Sequence, residues 1–320
     1  MIKISNLTNF EYQKFWQEHR LNVLQSYAWG QIKEGEGWQV LRIGIFQDDK
    51  LMNALSIQVK KLGLTKFAYI PKIKEFQFWQ ELKEYCKHVI KVDFVVVEFD
   101  HYKDMSKKLE LPSLFVQYNE HIQPEQTNMV LLHKTEEELF ASLKGNYRRN
   151  IKKAKNNGVI CEFYEHGEEM AVDKFYYVLK QVFANTKFLT RPKKYFTKVW
   201  QELASSKQSS HGLGAESLPG AVICTASLDK EILGAYLIVN DNSGAYELYG
   251  GVTKNGRDHE AGYLLKWEAI KYFNAKNKDF YDHWGVSKRT HHTAAILYAI
   301  FQKTGFIKGH HPTVRMSFTL

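Results

Sequence analysis

The alternation of apolar and polar positions predicts one α/β unit in the stretch from Trp38 to Asp100. A period of two residues indicates a strand, and apolar residues spaced by three and four indicate a helix. The last strand is a continuous apolar run of the kind that is buried on both faces. The predicted elements are strands at 38–46, 51–61 and 66–71, with a turn at 47–50, then a helix at 76–90 and a strand at 92–99.

The same order of elements recurs from Gly220 to Val286, which indicates a duplicated unit. We therefore expect an α/β fold with two tandem units, each a mixed sheet flanked by helices. The second copy consists of strands at 221–228, 232–241 and 244–252, with a turn at 229–231, then a helix at 261–276 and a strand at 279–286.

Three helical patterns lie between the two copies. Thr135 and Glu138 form a capping-box signature at the start of the first, which we expect to continue through a basic segment to Gly158. The other helices are expected at 167–186 and 193–206, followed by a polar surface loop at 207–220. We expect domains at 1–143 and 144–300, with a C-terminal segment at 301–320 that packs back on the first domain, and no long coiled-coil arm.

Composition indicates a globular protein. The chain has 320 residues, of which 44% are hydrophobic and 14% aromatic, which suffices for the cores of two domains. A disordered, collagen-like or small disulfide-stabilised protein is excluded. Cys86, Cys161 and Cys224 lie far apart in apolar surroundings, so we expect reduced, buried thiols. Without a secretory signal or an apolar run of about 18 residues, we expect a cytoplasmic protein with no transmembrane segment.

The net charge is +9, which favours a polyanionic partner such as a nucleic acid, a phosphorylated substrate or a membrane surface contacted peripherally. Two segments without any acid, 144–155 and 187–198, carry six and five cations. Like charges so close repel one another unless an anion binds, although a solvated face is the simpler interpretation of a charge run. The first segment, which we expect to bind tRNA or another polyanion, contains Lys144, Arg148, Arg149, Lys152, Lys153 and Lys155.

Standard catalytic and metal-binding signatures are absent from the sequence. The adjacent histidine pairs lack a cysteine or acidic partner at suitable spacing, so no metal is expected. Asp282 lies within an apolar strand, where it either has a polar partner in the core or lines a site. Gly250 and Gly251 end another strand and would let a ligand approach the backbone closely.

Each predicted unit resembles the GNAT acyltransferase fold, in which a glycine-rich loop binds the pyrophosphate of acyl-CoA. The corresponding stretch is 257–262, where Glu260 replaces the middle glycine and Asp258 adds a second negative charge. Both acids repel pyrophosphate, which makes acetyl-CoA a poor candidate donor.

Two such units in one chain, with that loop degraded, resemble the Fem family, whose members use aminoacyl-tRNA to build peptidoglycan interpeptide bridges. The resemblance covers nearly the whole chain and rests on six motifs in the right order. They are LQSYAWGQIKE at 24–34, KGNYRRNIKKAKNNGV at 144–159, TRPKKYF at 190–196, ELYGG at 247–251, LLKWEAI at 264–270 and YDHWGV at 281–286.

The resemblance implies a reaction and a set of site residues. Lys33 and Arg191 would contact the phosphates of the muropeptide precursor, with Tyr195, Tyr249 and Trp29 lining the same pocket. Lys303, which aligns with a lysine beside the aminoacyl ester, would stabilise the oxyanion, with Asp282 as a polar organiser. The acceptor would be UDP-MurNAc-pentapeptide or a lipid-linked precursor, and aminoacyl-tRNA would be a co-substrate with no further cofactor.

Three alternatives remain open on the sequence. The first is a GNAT-like N-acyltransferase with another donor, and the second is a non-enzymatic RNA-binding protein that uses the basic segment at 144–155. The third is aminoacylation of an anionic lipid, because its headgroup presents phosphates similar to those of the precursors.

Overall fold

The computed structural model describes residues 1–74, 76–100, 116–117, 122–124, 126–165, 168–184, 190–208, 219–285, 307–310 and 313–317. They fall into two compact units. The described residues up to 124 and those from 309 onwards form the first unit, and those from 126 to 308 form the second. No helix in these ranges is long and apolar enough to cross a bilayer.

Residues 1–117 contribute most elements of the first unit. In chain order they are β1 (Ile2–Asn6), α1 (Asn9–Glu18), a 3₁₀ turn (Val23–Gln25), α2 (Tyr27–Gly35), β2 (Gln39–Gln47), β3 (Lys50–Leu62), β4 (Thr65–Ile73), α3 (Trp79–Glu84) with a π-helical continuation (Tyr85–Ile90), β5 (Phe94–Phe99) and β6 (Val116–Gln117).

The remaining elements follow the boundary. They are β7 (Gln126–Leu131), α4 (Glu136–Ser142), α5 (Gly145–Asn156), β8 (Ile160–Tyr164), α6 (Glu169–Phe183), α7 (Lys193–Gln208), β9 (Gly220–Leu228), β10 (Glu231–Asn240), β11 (Gly244–Val252), α8 (Lys254–Asp258), α9 (Ala261–Ala275), β12 (Phe280–Asp282), β13 (Ile307–His310) and β14 (Thr313–Ser317).

The predicted duplication is confirmed by the strand topology. In each unit three antiparallel strands precede a helix and a parallel strand, namely β2–β3–β4 with β5 and β9–β10–β11 with β12. The predicted turns are two-residue connections with positive φ, 48° and 62° at Asp48 and Asp49 and 47° and 71° at Asp229 and Lys230. Positive φ at both central positions matches the twist of paired strands.

Both sheets extend beyond the repeated unit by antiparallel strands. The first sheet has the order β1-β2-β3-β4-β5-β14-β6, so β14 near the C-terminus lies next to β5. The second has the order β13-β7-β12-β11-β10-β9-β8, so β7 from before the repeat lies next to β12.

The domain boundary lies earlier than the sequence predicted. β7 pairs with β12, and the ring of Phe140 in α4 lies 5.1 Å from that of Trp267 in α9. Residues 126–143 therefore belong to the second unit. The prediction of 143 as the end of the first domain missed β7, because a six-residue strand that pairs with distant segments has little local signal.

The helix predicted from Thr135 to Gly158 is two helices. The capping box at Thr135 and Glu138 is confirmed, but Leu143 and Lys144 are extended, with ψ of 147° and 149°. At the end of α4, Arg148 donates to the carbonyl of Ala141 at 2.9 Å. The break is stable because this contact satisfies a terminal carbonyl and because a glycine at position 145 weakens any continuous helix.

Candidate functional site

The first candidate motif, LQSYAWGQIKE, forms the entrance to α2 in the first unit. Gln25 ties this entrance to the sheet, since its side chain donates to Pro71 O at 2.6 Å and accepts from Ser56 N at 2.8 Å. Ser26 caps the helix by accepting from Trp29 N at 3.1 Å. Gln25 and Ser26 therefore have structural roles, because they hold in place the helix that carries Trp29 and Lys33.

Lys33 lies against two indole rings. Its ammonium group is 5.7 Å from the ring centre of Trp29 and 5.6 Å from that of Trp38, and the residue is only 6% exposed. Trp29 and Lys33 share a face because they are four residues apart on α2. Aromatic faces attract a cation, so the two indole rings hold the ammonium group of Lys33 in place.

In the second unit, Arg191, Tyr195 and Tyr249 form a cluster. The guanidinium of Arg191 lies 4.5 Å from the ring centre of Tyr195, and the hydroxyl groups of Tyr195 and Tyr249 are 2.8 Å apart. The Tyr249 ring packs edge-on against Phe196 at 5.2 Å. The cluster joins the start of α7 to β11. A guanidinium can donate to phosphate oxygens, and so can at most one of the two hydroxyls, since the proton of the other lies in the hydrogen bond between them.

A β-bulge in β11 directs Tyr249 towards this cluster. Ile238 of β10 pairs with Glu247, whereas its neighbour Leu237 pairs with Tyr249, so one extra residue is inserted in β11. Without it, Glu247 and Tyr249 would point to the same face of the sheet. In the structure Glu247 faces α9, where it pairs with Lys266, and Tyr249 faces α7.

The glycines after Tyr249 have structural roles, contrary to the predicted close approach of a ligand. Gly250 has a φ of 152°, and a Cβ there would lie 2.4 Å from the carbonyl oxygen of Ala235. A Cβ on Gly251 would lie 2.9 Å from a methyl group of Val182 in α6. The space beside both glycines is thus filled by the protein itself.

Beneath β11, a charged group is buried between the sheet and α9. The ammonium of Lys266 lies 2.5 and 2.7 Å from the two carboxylate oxygens of Glu247, which also accepts from Tyr281 at 2.8 Å. Burial by itself would raise the pKa of Glu247, but Lys266 and His283 outweigh it and hold the pKa at about 2. Burial, together with the nearby Lys266 charge, lowers the pKa of His283.

Asp282 is fully buried at the end of β12. Its carboxylate accepts from the hydroxyl of Thr127 in β7 and from the backbone N–H of Trp284 at 2.6 Å. Of the two interpretations of this residue, the structure shows the polar partner in the core. Asp282 holds β7 and the turn after β12 in place, and it does not reach a surface.

The basic helix α5 presents its cations on one exposed face. Tyr147, Ile151 and Ala154 are buried on the opposite face, in the core cluster that also contains residues of α9. The exposed face forms a groove of about 570 Å³ whose lining includes Arg148, Arg149, Lys152 and Lys153. This arrangement concentrates positive charge where a polyanion can approach.

Two cations of α5 also have partners within the protein. Lys153 lies 3.2 Å from the carboxylate of Glu260, and Arg148 caps the carbonyl of Ala141. Within the part of the chain that the structure describes, the side chains of the other four have no recorded partner; these are Lys144, Arg149, Lys152 and Lys155.

The other basic segment is partly neutralised. Lys193 forms an ion pair with Asp173, and Lys198 lies 3.5 Å from Glu202. Lys194 is exposed, and Lys187 lies outside the described residues. This segment therefore contributes to the site through Arg191 more than through its total charge.

Some of the predicted residues cannot be placed. Lys303 lies outside the described residues, so its role stays a prediction.

The three cysteines are free thiols, and burial raises the pKa of Cys86 to about 12, which keeps it in the unreactive thiol form.

Sequence reasoning missed Trp38 and the pair of Glu247 and Lys266. The strand pattern alone gives Trp38 no role at the site; the available signal is its position five residues after Lys33, whose ammonium group it contacts. For the buried pair the signal is stronger, because Glu247 in ELYGG and Lys266 in LLKWEAI lie within largely apolar segments, where a buried charge requires a partner.

The chain thus has two tandem GNAT-like α/β units, with an arginine and two tyrosines clustered on the second. The description of the matching family model is the FemAB family, and it covers residues 7–91 and 99–207. The chain belongs to the FemAB family. The predicted family and fold class are thereby confirmed.

Known proteins support the same assignment. The chain is 24% identical over 222 residues to a protein of Staphylococcus haemolyticus named lipid II:glycine glycyltransferase, covering 62% of this chain and 52% of that protein. The chain thus spans about half the length of this curated relative. Among solved structures, the crystal structure of FemX has a TM-score of 0.77 at 16% identity, covering 99% of this chain and 97% of its own. A tandem GNAT protein from the clavulanic acid biosynthesis pathway has a TM-score of 0.56 at 12% identity, with full coverage of both chains.

Proposed function

We propose that this protein is an aminoacyltransferase that forms peptidoglycan interpeptide bridges. It transfers an amino acid from aminoacyl-tRNA to the stem-peptide amine of a peptidoglycan precursor. The observation that carries the proposal is the cluster of Arg191, Tyr195 and Tyr249, which lies at motif positions in a chain of the FemAB family. Since the curated relative is named for lipid II, the proposed acceptor is a lipid-linked precursor.

The proposed reaction is a direct attack within a ternary complex. The amine attacks the ester carbonyl, an amide bond forms, and the ester bond to the ribose oxygen breaks. The proton that the amine loses balances the one that the ribose oxygen gains. The sequence offers no Ser/His/Asp set for an acyl-enzyme, so proximity and charge stabilisation supply the catalysis.

The proposed roles of the residues follow their chemistry. Lys33 and Arg191 each bind phosphate oxygens through charge-assisted hydrogen bonds, while Tyr195, Tyr249 and Trp29 shape the contact surface. Lys303 supplies positive charge to the oxyanion and the departing oxygen. Asp282 acts as a positioning residue, because it is buried and bound to Thr127 and Trp284.

The donor is proposed to be tRNA and not acyl-CoA. The residue that replaces the pyrophosphate-binding glycine, Glu260, has a φ of 58° and pairs with Lys153. A pyrophosphate would meet a carboxylate there instead of the free backbone N–H groups that bind it in GNAT proteins. The exposed cations of α5 suit the phosphates of a tRNA.

The test is a transfer assay with the full-length protein and a panel of charged tRNAs. Each is offered with a nucleotide-linked and a lipid-linked precursor, and the amide product is detected by mass spectrometry. We expect transfer to the lipid-linked acceptor and a rise in its KM of about tenfold or more in Arg191→Ala, because a charge-assisted contact is lost. Lys303→Ala is expected to lower kcat.

Lys194→Ala is the matched control, because Lys194 is an exposed cation on the first turn of α7. It should leave both constants unchanged. The proposal fails if no donor in the panel supports transfer to either acceptor. The assigned role of Arg191 fails if Arg191→Ala behaves like the control.

A further inference from the structure

The hairpin between β3 and β4 ends in two exposed leucines. Leu62 pairs with Thr65, which leaves Gly63 and Leu64 as a two-residue turn, and Gly63 has a φ of 59°. Leu62 is 60% exposed and Leu64 is 100% exposed. A glycine at the first central position gives a tight turn, so both leucines are held at its tip. Solvent alone gives no reason for two large apolar side chains at this position.

A third exposed apolar side chain lies near this hairpin, in the π-helical segment Tyr85–Ile90. Lys66, two residues after Leu64, donates its backbone N–H to Asp93 at 2.7 Å and its ammonium to the carbonyl of Ile90 at 2.6 Å. These bonds fix the loop before β5 against the base of the hairpin. Val89, next to Ile90, is 63% exposed.

Lysines flank these apolar side chains in the sequence. Residues 60–66 contain three lysines and no acid, and residues 87–93 contain two lysines and one aspartate. The aspartate is Asp93, whose carboxylate already accepts from Lys66. Lys61 and Lys91 are exposed, and their side chains have no recorded partner within the described residues. This edge of the first unit thus combines an apolar tip, formed by Leu62, Leu64 and Val89, with two exposed lysines, Lys61 and Lys91, which we call the collar.

We propose that this tip docks the protein on an anionic lipid bilayer. Leu62, Leu64 and Val89 enter the boundary between headgroups and acyl chains, and Lys61 and Lys91 contact the anionic headgroups. The charge of the collar selects this partner, since it complements a negative surface. The inference does not depend on the proposed function, although a protein so docked could reach an acceptor carried by a lipid.

A protein partner fits this surface less well. A stable protein interface involves about 20 residues a side, with an apolar core and few lysines. The tip offers only three apolar side chains, two on a tight turn and one on a short π-helical segment, and it is rich in lysine. Shallow insertion into a bilayer needs no such area, because each buried side chain contributes separately.

The experiment is flotation of the full-length protein, without substrates, with vesicles of phosphatidylcholine alone or in equal mixture with phosphatidylglycerol. We expect binding to the mixed vesicles and weak binding to the neutral ones. Leu62→Ser/Leu64→Ser should reduce binding to the mixed vesicles at least about tenfold. Lys61→Gln/Lys91→Gln should reduce it by about twentyfold, with little effect on neutral vesicles.

Phe10→Ser is the matched control. Phe10 is 53% exposed in the same unit, on α1, whose buried side chains pack beside Leu51 at the other end of β3. It should bind vesicles as the intact protein does. Because all the substituted residues are exposed, each variant should retain the thermal unfolding midpoint of the parent.

Any of three outcomes would overturn the proposal. The first is that the intact protein fails to float with the mixed vesicles, and the second is that the leucine variant floats equally well. The third is that the leucine substitutions change the sedimentation of the protein without lipid, in which case the tip binds a second copy of the chain.

Discussion

At the scale of single residues, the buried pair of Glu247 and Lys266 determines where β11 lies against α9. Glu247 precedes the bulge that directs Tyr249 towards Tyr195, so this ion pair fixes the strand next to the proposed phosphate site. Removing one partner of such a pair leaves a charge in the core, which costs more than the pair itself contributes.

We predict that Lys266→Met lowers the free energy of unfolding at neutral pH by about 3 kcal/mol, because Glu247 is left without its ammonium partner. Urea denaturation monitored by circular dichroism measures the change. Lys271→Met on the same helix is the control, since Lys271 pairs with the more exposed Glu268 and Glu136. The double variant Glu247→Gln/Lys266→Met should recover part of the loss, and no recovery would contradict this explanation.

The same carboxylate makes stability depend on pH. Since the folded protein holds the pKa of Glu247 at about 2, below its unfolded value, its contribution is present above the unfolded pKa and is lost as the pH falls towards 2. The stability difference between the parent and Glu247→Gln should therefore shrink on acidification within that window.

The residues of the site differ in how far the sequence could predict them. Lys33 and Arg191 could be proposed because each lies in a local motif. The partners of these residues could not, since Trp38 meets Lys33 only after β2 folds against α2. Likewise, a single inserted residue in β11 decides that Tyr249 faces α7, and residue spacing alone would have placed it on the other face.

At the scale of the elements, two glycines differ in whether the structure leaves room for a Cβ atom. Gly145 begins α5, and a Cβ there would meet no atom within 4 Å. Gly250 has a φ of 152°, and a Cβ would meet the backbone oxygen of Ala235 at 2.4 Å. Alanine should thus be favourable at the first position and unfavourable at the second.

We predict that Gly145→Ala raises the free energy of unfolding by about 0.5 kcal/mol, because it restricts the unfolded chain at no structural cost. Gly250→Ala should lower it by about 2 kcal/mol or more, since the backbone must shift. Thermal and urea unfolding of the two variants give both values. A stabilising effect of Gly250→Ala would show that β11 does not need the conformation described.

The elements that the sequence predicted share a property, since their signals are local. The hairpins of both repeats have polar turns between alternating strands, and α9 has an apolar face along its length. By contrast, β7 and β14 are short and pair with strands far away in the chain. Their place in a sheet depends on these partners, so no local pattern of their own could predict it.

At the scale of the whole molecule, much of the excess positive charge lies on one helix, α5, and at its start. The net charge is +9, and the segment 144–155 alone carries six cations and no acid. The structure places them on α5, with two engaged by Glu260 and the carbonyl of Ala141. The remaining four face solvent or lie at the start of the helix, so they can release counterions from an RNA backbone without breaking a contact within the fold.

This distribution predicts how tRNA binding responds to salt. If the four free cations of α5 contact phosphates, replacing all four with glutamine should reduce the slope of log affinity against log salt by about 3. The control replaces four exposed lysines of the second unit outside α5, namely Lys134, Lys180, Lys230 and Lys254. Both variants lose four positive charges, so net charge alone would change the two slopes equally. Fluorescence anisotropy with labelled tRNA over a salt series distinguishes the cases, and equal slopes in the two variants would remove α5 from the proposed interface.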